Sequence, residues 1–191
     1  MRVFIAIYPP LEIRERLLRT AQNLVPGDAF RWSKPANVHL TLIFLGNVEE
    51  ENLAALRQTL DTVCGRHGPF EIEPRGIGAF PSSRKARIVW AGVDKGAEAL
   101  RVLAEDLEES LSRLGFEKQK RGFKPHITLG RSRSSPGLPE DAESMKSMKA
   151  PGFLARRVDL VESSPGAGGA VYATLSEHPL RRDIRRASDR E

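Results

Sequence analysis

The feature that most narrows the possible folds of this chain is a phrase written twice. His-x-Thr-Leu occurs at residues 39–42 and again at 126–129, each time within a strand-like run: VHLTLIFLG in the first case, KPHITLGR in the second. Each motif is preceded by an apolar run of strand length and then an amphipathic stretch. VFIAIY (3–8) and LEIRERLLRTAQNLV come before the first, ARIVWAGV (86–93) and GAEALRVLAEDLEESLSRLG before the second. Phe4 to His39 spans 35 positions, Trp90 to His126 spans 36, and Lys-Pro stands shortly before each motif histidine. A strand, helix, strand unit that repeats with its spacing predicts an internal duplication, two similar lobes about an approximate twofold axis. The mixture of strands, helices and hairpin signals makes this an α+β chain, bilobal, with antiparallel sheets lining a central groove.

Within that frame the first helix follows Pro9 and Pro10, with Leu11, Leu17, Leu18, Gln22 and Val25 near one face. A second helix is predicted from Glu49 to Cys64 on the spacing of Leu53, Leu56 and Leu60, and the third is closed by Gly115. FLARRVDLVES and AVYATLSEHPL read as strands joined by a hairpin loop at SPGAGGA, and the polar stretch RSRSSPGLPEDAESMKSMKAPG as a loop with a short helix.

A length of 191 residues with 40% hydrophobic content supports one compact domain over residues 1–180. No apolar run reaches the roughly 20 residues of a membrane helix, so a soluble, cytoplasmic monomer is expected. The single cysteine, Cys64, excludes an internal disulfide and reads as a small buried residue. The net charge is +5, but residues 181–191 hold five Arg against three acids and supply +2 of it. That tail is expected to be solvated and disordered, and the body is only mildly basic, compatible with a polyanionic substrate.

Strand alternation puts His39 with Thr41, and His126 with Thr128, on one face, and turns the intervening aliphatics to the other. Two such pairs facing each other suit in-line displacement at phosphorus. One histidine takes a proton from the nucleophile, the other gives one to the leaving oxygen, and the threonines donate to the non-bridging oxygens. Each motif offers one ligating nitrogen where catalytic zinc needs three protein ligands, so neither metal nor cofactor is called for. By strict alternation Arg131 falls on the face opposite His126, unless Gly130 lets the chain turn and bring its guanidinium to a phosphate. Lys34, Phe30 and Trp32 are candidates to line the groove, with core packing or solvation as the alternatives. Arg84, Lys85 and Arg87 read as a solvated loop that could reach RNA phosphates. His67 and His178 lack the motif context and read as structural or exposed.

FRWSKPANVHLTLIFLG and GFKPHITLGR, with VFIAIYPP and GIGAFPSSRKARIVWAGV, closely resemble the two-histidine phosphoesterase superfamily, specifically its RNA 2',3'-cyclic phosphodiesterases, also called 2'-5' RNA ligases. The resemblance runs over residues 1–178. It implies hydrolysis of RNA ends bearing a 2',3'-cyclic phosphate to a 2'-phosphate, with His39 as proton donor, His126 as proton acceptor and 2'-5' ligation as a side activity. The motif pair itself is symmetric and leaves that polarity open. Two other readings stand beside it: a phosphoesterase for small cyclic nucleotide metabolites, and a non-catalytic module that binds RNA ends.

Overall fold

The computed structural model describes residues 1–25, 27–119, 122–139, 142–167 and 169–181. The Arg-rich end expected to be disordered falls, from residue 182 on, outside the described residues. Strands β1 (Arg2–Ile7), β2 (Arg31–Trp32), β3 (Leu40–Asn47), β4 (Phe70–Ile72), β5 (Pro74–Ser82), β6 (Lys85–Val93), β7 (His126–Arg131), β8 (Phe153–Ala155), β9 (Arg157–Ser164) and β10 (Val171–Pro179) alternate with helices α1 (Leu11–Leu24), α2 (Leu53–Cys64), α3 (Ala97–Ser112) and α4 (Ala142–Ser147). The fold is α+β and every strand pairing is antiparallel.

The two lobes share one sheet. Its order is β10-β9-β1-β3-β7-β6-β5, with β2 also on β7, and the motif strands β3 and β7 meet at its centre through Leu40 and Ile127. β1, β3 and β9 on one side answer to β6, β7 and β5 on the other, the arrangement an internal duplication produces. Register corrects one detail of the repeat. Ala6 pairs with Thr41 and Trp90 with Thr128, so Trp90 answers to Ala6 and not to Phe4. The offset of two residues keeps the same face, which is why the near-equal spacing still marked the repeat.

From Val3 to Ile7 β1 is apolar and buried because it is covered on both sides. Ile5 and Ile7 join the main core with Leu17, Leu40, Leu56, Leu60, Leu103 and Leu107, whereas Phe4 and Ala6 join a separate small cluster with Val161, Tyr8 and Tyr172 on the other face. Each fully buried leucine of the main core contributes roughly 1.5–3 kcal/mol. The helices cross the midline: α1 contacts β7 and α3 contacts β3, so each half's helix reaches the other half's motif strand.

The helix faces depart from expectation at α1, where Ile13, Leu17, Leu18 and Ala21 are buried while Leu11 is 51% exposed and Gln22 lies in solvent. Leu11 opens the first turn directly after Pro10. Cys64 is buried at the end of α2, as expected. Gly115, at φ +88°, closes α3 with Phe116 N–H on the Leu111 carbonyl and Gly115 N–H on that of Ser112, a Schellman ending. The segment before β6, read as a loop carrying cations, is instead the β5–β6 hairpin, with Lys85 and Arg87 on a paired strand. Among the described residues no helix is long and apolar enough to cross a membrane.

Candidate active site

Both motif histidines are oriented by the same local bond. His39 Nδ1 lies 2.8 Å from the Asn37 carbonyl and His126 Nδ1 lies 2.7 Å from that of Lys124, in each case two residues back. A ring nitrogen facing a carbonyl is the donor, so Nδ1 carries the hydrogen in both rings. Nε2 is left as an acceptor when the ring is neutral and a donor when it is charged. What repeats between the motifs is therefore a carbonyl at position −2. The repeated Lys-Pro is not in register: Lys34 is five residues before His39 and caps a short 3₁₀ turn over Pro35–Asn37, while Lys124 itself supplies the carbonyl to His126.

The strands then share an irregularity that alternation alone does not foresee. Between β1 and β3 the register moves from Ile5–Ile43 to Ala6–Thr41, leaving Leu42 extra; between β6 and β7 it moves from Val89–Gly130 to Trp90–Thr128, leaving Leu129 extra. Each is a β-bulge, and each buries two successive residues, Leu42 with Ile43 and Leu129 with Gly130. The residue after the bulge returns to the histidine face. In one half that residue is Phe44, 61% exposed and 6.1 Å from Phe4; in the other it is Arg131, exposed and close enough for its charge to depress both imidazoles. The bulge, and not a turn at Gly130, thus brings Arg131 round. Gly130 has a different cause: a Cβ there would come to 3.0 Å from the Trp32 ring.

The two rings sit in aromatic surroundings. Phe4 stacks on His39 at 4.8 Å, Tyr8 lies at 5.4 Å, and Tyr172 of β10 meets it edge-on at 5.2 Å. Burial in this box pushes His39 down to about 4. Its bond to the Asn37 carbonyl opposes the drop, and the charges of Arg131, His126 and Arg14 add to it. Around His126 are Phe80 at 5.1 Å and Trp90 at 6.2 Å, with the Lys124 ammonium over Trp90 at 4.9 Å and over Phe80 at 5.4 Å. Burial lowers His126 as well, opposed by the Lys124 carbonyl and assisted by the Lys124 and Arg131 charges. Trp90 lies flat over β5 only because position 78 is glycine, where any Cβ would run into the indole ring.

Thr41 and Thr128 pair with Ala6 and Trp90, residues of the same face, and neither hydroxyl is engaged by another described residue. The site thus gathers His39, His126, Thr41, Thr128 and Arg131 on one face of the central strands. Of the other candidates, Lys34 is exposed, Phe30 belongs to the main core, and Trp32 packs on Gly130 from β2. Arg87 donates to Ser135 at 3.0 Å. His67 bonds Asp106 at 2.9 Å, and His178, 2% exposed, is held between Asp61 at 2.6 Å and Ser176 at 2.8 Å, tying β10 to α2. Both are structural, as read. Sequence reasoning missed Tyr8, Phe80 and Tyr172. Tyr8 stands two places after Ala6 in the β1 alternation and was findable from period two, whereas Tyr172, 133 residues after His39, carried no local signal.

The chain matches known proteins over most of its length. The profile of the LigT-like phosphoesterases matches residues 7–90 and 92–172, one motif in each segment. An RNA 2',3'-cyclic phosphodiesterase of Archaeoglobus fulgidus is 35% identical over 176 residues, covering 92% of this chain and 98% of its own; one from Aeropyrum pernix is 35% identical over 166 residues, covering 85% and 93%. Among solved structures, TT0787 of Thermus thermophilus superposes with a TM-score of 0.83 at 30% identity, covering 96% of this chain and 100% of its own. E. coli LigT complexed with 3'-AMP superposes at 0.78 and 29% identity, covering 94% and 97%. The chain belongs to the LigT-like phosphoesterase family and is an enzyme of the phosphodiesterase class.

Proposed function

We propose that this protein hydrolyses the 2',3'-cyclic phosphate at an RNA end to a 2'-phosphate and a free 3'-hydroxyl, by acid-base catalysis between two histidines without a metal or other cofactor. The observation that carries the reading is the matched pair of imidazoles, each tethered through Nδ1 to a carbonyl two residues back. Such a pair offers two Nε2 atoms to one substrate. The names of the A. fulgidus and A. pernix relatives supply the substrate class.

In this scheme His39 protonates the departing 3' oxygen while His126 takes a proton from the attacking water. Thr41, Thr128 and Arg131 hold the non-bridging oxygens, whose charge grows in the transition state. An RNA 5'-hydroxyl attacking in place of water displaces the same 3' oxygen and leaves a 2'-5' bond, a minor activity where water is abundant. The depressed imidazoles suit a substrate that brings its own negative charge, because a bound phosphate favours the protonated form of the donor.

The test is to incubate the protein, with EDTA present, with an oligoribonucleotide ending in a 2',3'-cyclic phosphate and to identify the product. A 2'-phosphate end is expected, at a rate unaltered by the chelator. A 3'-phosphate product, or loss of all turnover on chelation, overturns the scheme.

A further inference from the structure

Tyr8, a neighbour of His39, also lines a cleft of about 290 Å³ together with Pro9, Pro10, Arg14, Arg156 and Arg157. Tyr8 is the shared residue: its ring is 5.4 Å from His39, and it lines the cleft. The three arginines are not alike. Arg157 is clamped by Asp159 at 3.1 Å and Glu177 at 2.8 Å, so its charge is answered within the protein. Arg14 lies with its guanidinium 5.6 Å above the Tyr8 ring and gives Nη1 to the carbonyls of Pro35 and Ala36 at 3.2 and 3.3 Å; its buried Nε has no partner among the described residues. Arg156 is exposed, and among the described residues neither it nor Arg14 meets a carboxylate at ion-pair distance.

Arg14 Nη2 has no hydrogen-bond partner among the described residues, and an acceptor-only anion in the cleft that Arg14 lines supplies one. Planar Arg donors match the paired oxygens of a phosphate diester. The cleft is at the small end of ligand sites, which suits one phosphate with part of a sugar. A single ribose separates successive phosphates in RNA, and here a single aromatic ring separates the cleft from His39.

We propose that this cleft is a second anion site, which takes the internucleotide phosphodiester immediately upstream of the terminal nucleotide through Arg14 and Arg156, and so makes oligonucleotide ends better substrates than cyclic mononucleotides. The proposal rests on the reading that the terminal cyclic phosphate lies beside His39. Arg14 also braces the turn that carries Asn37, so its substitution disturbs the catalytic ring. Arg156 touches nothing in the motif site and is the residue to change.

The experiment compares a nucleoside 2',3'-cyclic phosphate, the same compound with a 5'-phosphate, and a dinucleotide ending in a 2',3'-cyclic phosphate. Wild type is expected to show a KM about tenfold lower for the dinucleotide than for the nucleoside, the size of one charge-assisted contact. Arg156→Glu removes that advantage while leaving kcat for all three and KM for the nucleoside unchanged, and Arg156→Lys restores part of it. Equal KM values in wild type, or an equal loss on nucleoside and dinucleotide, overturns the proposal. A gain limited to the 5'-phosphorylated mononucleotide overturns the diester assignment and marks a site for terminal phosphates. Calorimetric binding of an uncleavable dinucleoside monophosphate against its nucleoside, in wild type and Arg156→Glu, separates the two readings. Selective loss of dinucleotide binding without any turnover leaves the cleft standing and removes the reaction; turnover without that loss does the opposite.

Discussion

His39 and His126 are held by the same bond on the same kind of strand, before the same bulge, yet their surroundings differ. The His39 ring is boxed by Phe4, Tyr8 and Tyr172, the last contributed by β10, a strand outside the repeated unit. The His126 ring has Phe80 and Trp90 and a lysine poised over both. After the bulge the first half presents Phe44 and the second Arg131. Duplication thus supplies a matched pair of imidazoles, and the residues around them are not equivalent. Among the described residues the first motif alone has a further tie: Asn37, whose carbonyl orients His39, donates its side chain to the Ala170 carbonyl at the β9–β10 turn at 2.9 Å.

The harshest way to break the comparison is to remove each ring. His39→Ala and His126→Ala are each expected to lower kcat by at least about a hundredfold, the usual scale of a general acid or base, read by steady-state kinetics on the cyclic-phosphate oligonucleotide. Near-normal turnover in either variant takes that ring out of the mechanism. A smaller effect tests the positions after the bulges. Arg131→Ala is expected to lower kcat/KM by roughly ten- to a hundredfold, since charge-assisted contacts to phosphate are worth about 1.5–3 kcal/mol, whereas Phe44→Ala lowers it only a few-fold. Equal losses would mean that the two positions are equivalent in function as well as in register.

The smallest effect is a shift in pH dependence. Both imidazoles are held below their ordinary value, His39 at about 4. Below the lower pKa the proton acceptor is already charged, and above the upper one the donor is neutral, so kcat/KM is bell-shaped with its maximum on the acid side of neutrality. Tyr172→Ala opens the box around His39. Less burial means less penalty on the charged ring, so the His39 pKa rises toward 6.5, by about one unit, and carries its flank of the bell with it. NMR titration of the His39 ring proton measures this directly; an unmoved midpoint would show that Tyr172 is not what keeps the ring neutral.

Much of this was written locally. Alternation placed Thr41 with His39 and Thr128 with His126, and the apolar runs marked the central strands, because strand periodicity is a property of a few consecutive residues. The repeat announced two lobes because each half codes the same supersecondary unit. Arg131 was legible only as a question, since a bulge depends on how a neighbouring strand pairs and leaves little trace in its own sequence. The Lys-Pro repeat pointed to equivalent strands although its members sit at different offsets from the histidines, one capping a turn and one supplying a carbonyl.

By itself, then, the sequence determined the α+β architecture, the two His-Thr pairs and the faces they share, all consequences of short-range backbone geometry. Only the tertiary structure decided that the lobes join in one sheet through Leu40 and Ile127, that Tyr172 meets His39 and Phe80 meets His126, and that the charge of Arg131 bears on both rings. Those contacts join residues far apart along the chain. Burial and charge at the site come from chain brought together by folding, and no local window of the sequence contains both partners.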